Sequence, residues 1–353
     1  MPDRLLESLG ELLRPVLAIL LGLAVGAVAI AVTGHPVLEA YGALWNGAFG
    51  NRTFFASTLA RSSTIALAGL GVAVAFRSGA LNLGGEGQLV LGGLAAALCT
   101  IYVPLPGPLP VLAGLLAGAA AGALWAALPA WLEVRFRVQL LISSLLLNYV
   151  GVYLASYLAS EPFRDRTGTA ALAQTRLIPE AARLAMLPGT RLHVGILITV
   201  VLAVVLWFVL ARTVAGYEWR MTGLNPDFAL YGGVGRVRSL MTAMLVSGAI
   251  AGLGGAIEVM AVYHRFIDGN LSRPGFAWSG VMAALLANNH PLGVLLAAFL
   301  LGVIQVGSTG MERATQIPLE VSSVVQAVIV LFVSARIGMD WLRRFRGRRM
   351  RHG

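Results

Sequence analysis

What most restricts this chain is a succession of apolar runs, each of about 18 residues or more, set apart by short segments rich in Gly, Pro and Arg. A run of that length is what an α-helix needs to cross a hydrocarbon layer about 30 Å thick. With 58% hydrophobic and 12% charged residues and a mean hydropathy of +0.79, the chain carries too much apolar surface for a water-soluble domain of 353 residues. The sequence reads as an all-α polytopic membrane protein, a single transmembrane domain over residues 1–353. Boundaries at Gly, Pro and Arg give about ten spans: 14–33, 60–76, 87–103, 109–132, 139–158, 192–211, 239–262, 275–289, 292–309 and 319–336. The segment 275–289 is short and runs into Asn288, Asn289, His290 and Pro291, so a re-entrant course and a count of eight or nine spans stay open. The first run is long enough to span and no cleavage site follows it, so it is expected to persist as a helix.

The formal net charge of +10 comes entirely from Arg, since all 26 basic residues are Arg and Lys is absent. Dispersed between apolar runs, these residues follow the pattern of membrane loops rather than a nucleic-acid footprint. Without Lys the chain cannot build a Walker A phosphate loop or a Schiff base. Its one cysteine, Cys99, excludes an internal disulfide, and five scattered His lack ligand spacing, so no metal site is expected. No paired nucleophile and base marks an intramembrane enzyme.

Seven Arg between 336 and 351 make 337–353 a basic tail, which the positive-inside rule keeps in the cytoplasm. Ten spans then place the N-terminus inside as well, with 159–191 as a long external loop and 212–238 as a cytoplasmic loop. Two halves of five spans would have opposite orientations. The segments GALNLGGEG after the second span and IDGNLSRPG after the seventh are both Gly-rich and fall on opposite faces, as an inverted repeat of five plus five would place them.

Within 212–238, GYEWRMTGLNPDFALYGGV is too polar to span. Its pattern predicts a short helix over Gly216–Thr222 stopped by Gly223. Asn225 then caps a second helix that begins at Pro226 and ends after Tyr231, at Gly232 and Gly233. Such a capped aromatic knob is suited to docking into another protein.

Arg220, Gly223, Leu224, Asn225 and Pro226 resemble the coupling-helix pattern of the permeases of bacterial ABC importers for nucleosides, simple sugars and branched-chain amino acids. FRSGALNLGGEGQLVLGG is similar to a second segment of that family, with Asn82, Glu86 and Gln88 on its polar positions and Leu81 in place of the usual aromatic residue. LLISSLLLNYVGVYLASYL and the stretch from Ala284 to Gly293 resemble the nucleoside branch, with Ala287 where that branch usually has Gly. The resemblance covers roughly residues 55–335. It implies two ABC ATPase subunits, a second permease subunit and an extracytoplasmic solute-binding protein or lipoprotein as partners, and no nucleic acid. ATP and Mg²⁺ are then bound by the ATPase, with no cofactor in this chain. A pentose sugar or a branched-chain amino acid is the alternative solute, and an autonomous secondary transporter or channel the alternative class.

A nucleoside needs neutral hydrogen-bonding groups along its path. Ser143, Ser144 and Asn148, close to one face of the fifth span, are candidates, together with Asn82, Glu86 and Gln88. Glu258, Gln305 and Gln326 are further polar groups at spanning depth. Small polar residues also join helices to each other, and Glu86 in the first turn of a helix also suits the helix dipole.

The topology can be checked directly: in a Cys99→Ala background, cysteines placed at Arg176 and Arg349 should react with a membrane-impermeant reagent from opposite sides. Labelling from the same side would require an even number of spans between the two positions.

Overall fold

The computed structural model describes residues 20–315 apart from 21, 33, 168–172 and 188–191, together with Val324 and Ala327. The expected last span, 319–336, apart from Val324 and Ala327, and the basic tail, 337–353, lie outside the described residues, as do residues 14–19, 21 and 33 of the first span. Among the described residues 20–315 twelve α-helices can be numbered in chain order: α1 (Gly22–Val32), α2 (Val37–Phe49), α3 (Arg52–Arg77), α4 (Gly85–Tyr102), α5 (Leu109–Phe136), α6 (Leu140–Ser160), α7 (Gly195–Arg212), α8 (Val214–Leu224), α9 (Pro226–Tyr231), α10 (Arg236–Glu258), α11 (Phe276–Leu286) and α12 (Pro291–Thr315). No strand occurs among the described residues, only two isolated β-bridges.

Among the described residues six helices are long and apolar enough to cross a membrane, seven if α1 and α2, which meet at 119°, form one broken span. The difference from about ten has physical causes. At 1.5 Å per residue the 11 residues of α11 reach only about 16 Å, roughly half a bilayer core. Helix α4 has 18 residues but opens on Glu86 and Gln88, which dilute its hydropathy.

The chain packs as two units. The first, residues 1–58 and 301–353, is held where α2 meets the second half of α12. A Cβ at Gly47 would lie 2.7 Å from the Gly310 Cα, so only glycine permits that approach. Ile30, Ala40 and Met311 form its core, and Tyr41 donates a hydrogen bond to the Leu23 carbonyl.

The second unit, residues 59–300, is built on α4, α5 and α10. Lipid tails are as apolar as the side chains, so helices associate there through close packing rather than through the hydrophobic effect. Small residues recur every four positions, as Gly114, Gly118 and Gly122 on α5 and Gly248, Gly252 and Ala256 on α10. A Cβ at Gly252 would stand 2.3 Å from the Gly118 carbonyl oxygen, and one at Gly255 only 1.9 Å from that of Leu89 on α4. The outward faces keep large side chains, such as Leu124, Leu146, Val201 and Phe208.

At its far end α10 continues as one π-helical turn, Val259–Tyr263, closed by His264 in the left-handed region at φ 55°. Part of the expected external loop is clasped there. The Thr175 and Ile178 amides donate to the Phe266 and His264 carbonyls, each at 2.9 Å, and Asp268 donates to Ala173 at 3.0 Å. Thr167 donates to Asp165 and holds its carboxyl below the usual range, while burial, then Arg183, pulls His264 down.

Replacing Gly252 with Val should push α10 away from α5 and α4 and cost most of the folded protein. The expected result is at least a fivefold loss of monodisperse chain in detergent size-exclusion chromatography. Val201→Leu, on the outer face of α7, should cause no loss.

Candidate functional site

Between α3 and α4 the chain breaks for seven residues, Ser78–Gly84, and a knot of side chains satisfies the backbone of that break. Asn82 is 1% exposed. Its Oδ1 accepts from the Gly84 amide at 2.9 Å and from Gln88 Nε2 at 3.1 Å, and its Nδ2 donates to Ser247 Oγ on α10 at 2.9 Å. From α6, Asn148 donates to the Leu83 carbonyl at 2.7 Å and accepts from the Gly87 amide at 2.9 Å. Ser144 accepts from the Leu83 amide at 3.2 Å. Ser143 turns onto its own helix, donating to the carbonyls of Gln139 and Leu140. Asn82, Gln88, Ser144 and Asn148 are thus brought together, and their hydrogen bonds are made within the protein. First-turn N–H groups of a helix that begins inside a bilayer have no water to bond, and these side chains take its place.

Glu86 stands apart from the knot. It is half-buried in the first turn of α4, where the indole of Trp278, in the first turn of α11, is the neighbouring side chain that favours its carboxylate. The starts of the two helices are neighbours, since a Cβ at Gly85 would touch that of Ala277 at 3.5 Å. Helix α11 runs alongside α3: Arg61 lies 4.8 Å over the Phe276 ring, a Cβ at Gly69 would meet the Gly280 carbonyl at 2.9 Å, and Arg77 donates to the Asn288 and Asn289 carbonyls. Phe276 therefore sits about 20 Å from the Arg77 end of a helix about 39 Å long, close to its middle. Two broken helices start side by side at mid-depth and run in opposite directions, with their positive dipole ends adjacent. Glu258 is 4% exposed, accepts from Thr64 at 2.6 Å and has Arg61 close by. Gln305 belongs to the other unit, and Gln326 lies outside the described residues.

At the Arg77 end, α8 and α9 form the expected pair of short helices with one difference. Asn225 caps α9, accepting from the Asp227 and Phe228 amides at 3.1 and 3.0 Å, with Pro226 in the first turn. Gly233, at φ +81°, ends it. Gly223, however, does not stop α8. The helix continues through Leu224, and Gly223 is absent from the positive-φ residues. Glycine is needed there for proximity: a Cβ would lie 2.3 Å from the Arg77 carbonyl oxygen and 3.0 Å from the Gly79 amide nitrogen, in the turn that leads into α4. Arg220 bonds back to the Gly216 carbonyl and acts on Arg77 as a like charge. Buried Trp219, a residue whose anchoring role the sequence did not disclose, ties α8 to Thr242 of α10 at 3.0 Å. The opposite surface exposes Leu224, Phe228, Leu230 and Tyr231, the last at 93%.

Residues 54–334 match the profile of the family described as branched-chain amino acid transport system / permease component. This chain belongs to that permease family. It is 36% identical over 338 residues to the guanosine ABC transporter permease protein NupP of Bacillus subtilis (strain 168), covering 94% of this chain and 95% of that protein. The nucleoside ABC transporter permease protein NupB of Lactococcus lactis subsp. cremoris (strain MG1363) is 28% identical, with 92% and 91% covered. The glucose ABC transporter permease protein TsgB13 of Haloferax volcanii is 32% identical, with 94% and 88% covered. No solved structure gives a significant match. A permease of this family is a multi-pass membrane component of an ABC transporter and not its catalytic part.

Asn148→Leu leaves the Leu83 carbonyl and Gly87 amide unpaired in a buried place, at roughly 1 to 3 kcal/mol each. Transport by the assembled importer should fall at least tenfold, and equally for every solute it carries. Normal transport would remove Asn148 from the mechanism.

Proposed function

We propose that this chain is the membrane-spanning permease subunit of an ATP-driven importer of nucleosides in a bacterial inner membrane, with both termini in the cytoplasm. The substrate assignment is supported by the full-length likeness to permeases named for guanosine and nucleosides. The likeness to a glucose permease keeps a sugar as the second reading.

The observation that carries the coupling mechanism is the contact of Gly223 with Arg77 and Gly79. We infer that an ABC ATPase receives the exposed face of α8 and α9, with Arg220, Gly223, Leu224, Asn225 and Pro226 as the coupling segment. ATP and Mg²⁺ act on two such ATPase subunits. When they close, displacement of α8 reaches the turn before α4 through Gly79, and α11 through Arg77 and its bonds to Asn288 and Asn289. Both broken helices move, and the path opens to alternate sides. A second permease subunit completes the path, and an extracytoplasmic solute-binding protein or lipoprotein delivers the solute to the outer face. In this reading α4 and α11 are the third and eighth of ten spans, equivalent members of an inverted five-plus-five repeat.

Gly223→Val should leave the chain inserted and bound to its ATPase but abolish nucleoside uptake, because a branched side chain wedges α8 off the turn at Gly79. Transport at the wild-type rate by this variant, with ATPase retained on purification, would overturn the coupling role. Wild-type uptake of leucine or glucose, but of neither guanosine nor uridine, would overturn the substrate.

A further inference from the structure

Among the polar groups at mid-depth, Glu86 is distinguished by what surrounds it. The knot residues satisfy one another, and Glu258 has Thr64 and Arg61. Glu86 has the neutral Trp278 indole as the side chain that acts on it, across the close approach of Gly85 to Ala277, and among the described residues no charged side chain does. An ionised side chain at the middle of a bilayer costs roughly 3 kcal/mol or more unless it is paired or faces water. A carboxylate offers about four acceptor sites, of which one indole N–H can fill at most one. Glu86 is also only half-buried, and Trp278 beside it is 44% exposed. Remaining acceptor capacity and an open aromatic surface thus lie together, on the first turns of the two broken helices that the coupling segment reaches.

We propose that Glu86 and Trp278 form the solute subsite of this permease, the carboxylate accepting from the vicinal hydroxyls of a ribose and the indole stacking on the base. This rests on the nucleoside reading above and adds to it the groups that recognise the solute. An acceptor-only group suits a diol, whose two O–H donors converge on one side of the ring. It does not suit a carboxylate solute, which it repels. A flat base stacked on an aromatic ring is worth about 1 to 3 kcal/mol and is indifferent to base identity. The site selects for the sugar and accepts many bases. Because its two halves stand on different helices, displacing α4 against α11 pulls the carboxylate from the indole and takes the subsite apart. Solute release then follows from the same movement that opens the path.

The test uses the complete importer in proteoliposomes, at solute concentrations that saturate the solute-binding protein, with assembly checked by copurification. Uridine is compared with 2′-deoxyuridine, and guanosine with inosine. The wild type is expected to move uridine at least fivefold faster than 2′-deoxyuridine. Glu86→Gln should slow uridine about tenfold and bring the two rates together, while Glu86→Asp keeps most of the discrimination. Trp278→Leu should slow both solutes alike and leave their ratio unchanged. An unchanged uridine to deoxyuridine ratio in Glu86→Gln would overturn the assignment. So would a change confined to the guanosine to inosine ratio, which would place the carboxylate on the base edge. Wild-type rates in Trp278→Leu would remove the stacking surface. If Glu86→Gln does not assemble, Glu86→Asp decides, and a ratio and half-saturation identical to the wild type would refute the contact. Failure of the wild type to move any nucleoside while it moves glucose belongs to the functional reading, and is seen before any variant is made.

Discussion

Backbone contact among α4, α5 and α10 is the constraint on which the second unit depends. In a bilayer the apolar side chains gain nothing by leaving lipid for one another, so the helices hold together by the closeness of their approach. Gly118, Gly122, Gly248, Gly252 and Gly255 bring carbonyls of one helix to where a neighbouring Cβ would otherwise be. That approach fixes α10 beside the break that precedes α4, and allows Ser247 on α10 to meet Asn82. The polar knot is therefore a dependent of the glycine packing and cannot form if the helices stand a side chain apart.

Breaking a helix inside a membrane exposes amides that must find partners, and this chain supplies them from two other helices. Asn148 and Ser144 reach the break from α6, and Ser247 reaches it from α10. The start of α4 is thereby placed by its neighbours and not by its own propensity. On the opposite side the break abuts α8. Displacement of one short surface helix therefore bears on a mid-membrane site through a few residues, without passing through the packed body of the bundle.

Much of this was legible in the sequence, and what was not has identifiable reasons. Long apolar runs announced the spans, and Asn225 with Pro226 announced the start of α9, because capping is a local matter between near neighbours. The count of spans was less secure, since a short apolar helix such as α11 and a full crossing differ by half a bilayer but not in local pattern. Polar Ser144 and Asn148 stood out, yet whether such residues face a solute or another backbone depends on which helix lies opposite. Gly223 was marked as special, but a left-handed stop and a close approach leave the same letter, and only Arg77 at the contact decides between them. Arg61, Thr64, Trp219 and Trp278 carried no local signal, because each acts through a partner far away in the chain.

The two connections at the Arg77 end differ mechanically. Gly223 meets Arg77 and Gly79 by surface contact, which resists compression but has no tensile strength. Arg77 holds the Asn288 and Asn289 carbonyls by hydrogen bonds, which resist separation as well. Toward α4 the joint is a strut, and toward α11 it is a tie. A load that drives α8 inward presses on Arg77 and Gly79 and so reaches both broken helices, whereas one that draws α8 outward passes through neither contact, and the tie then only keeps the end of α11 with α3.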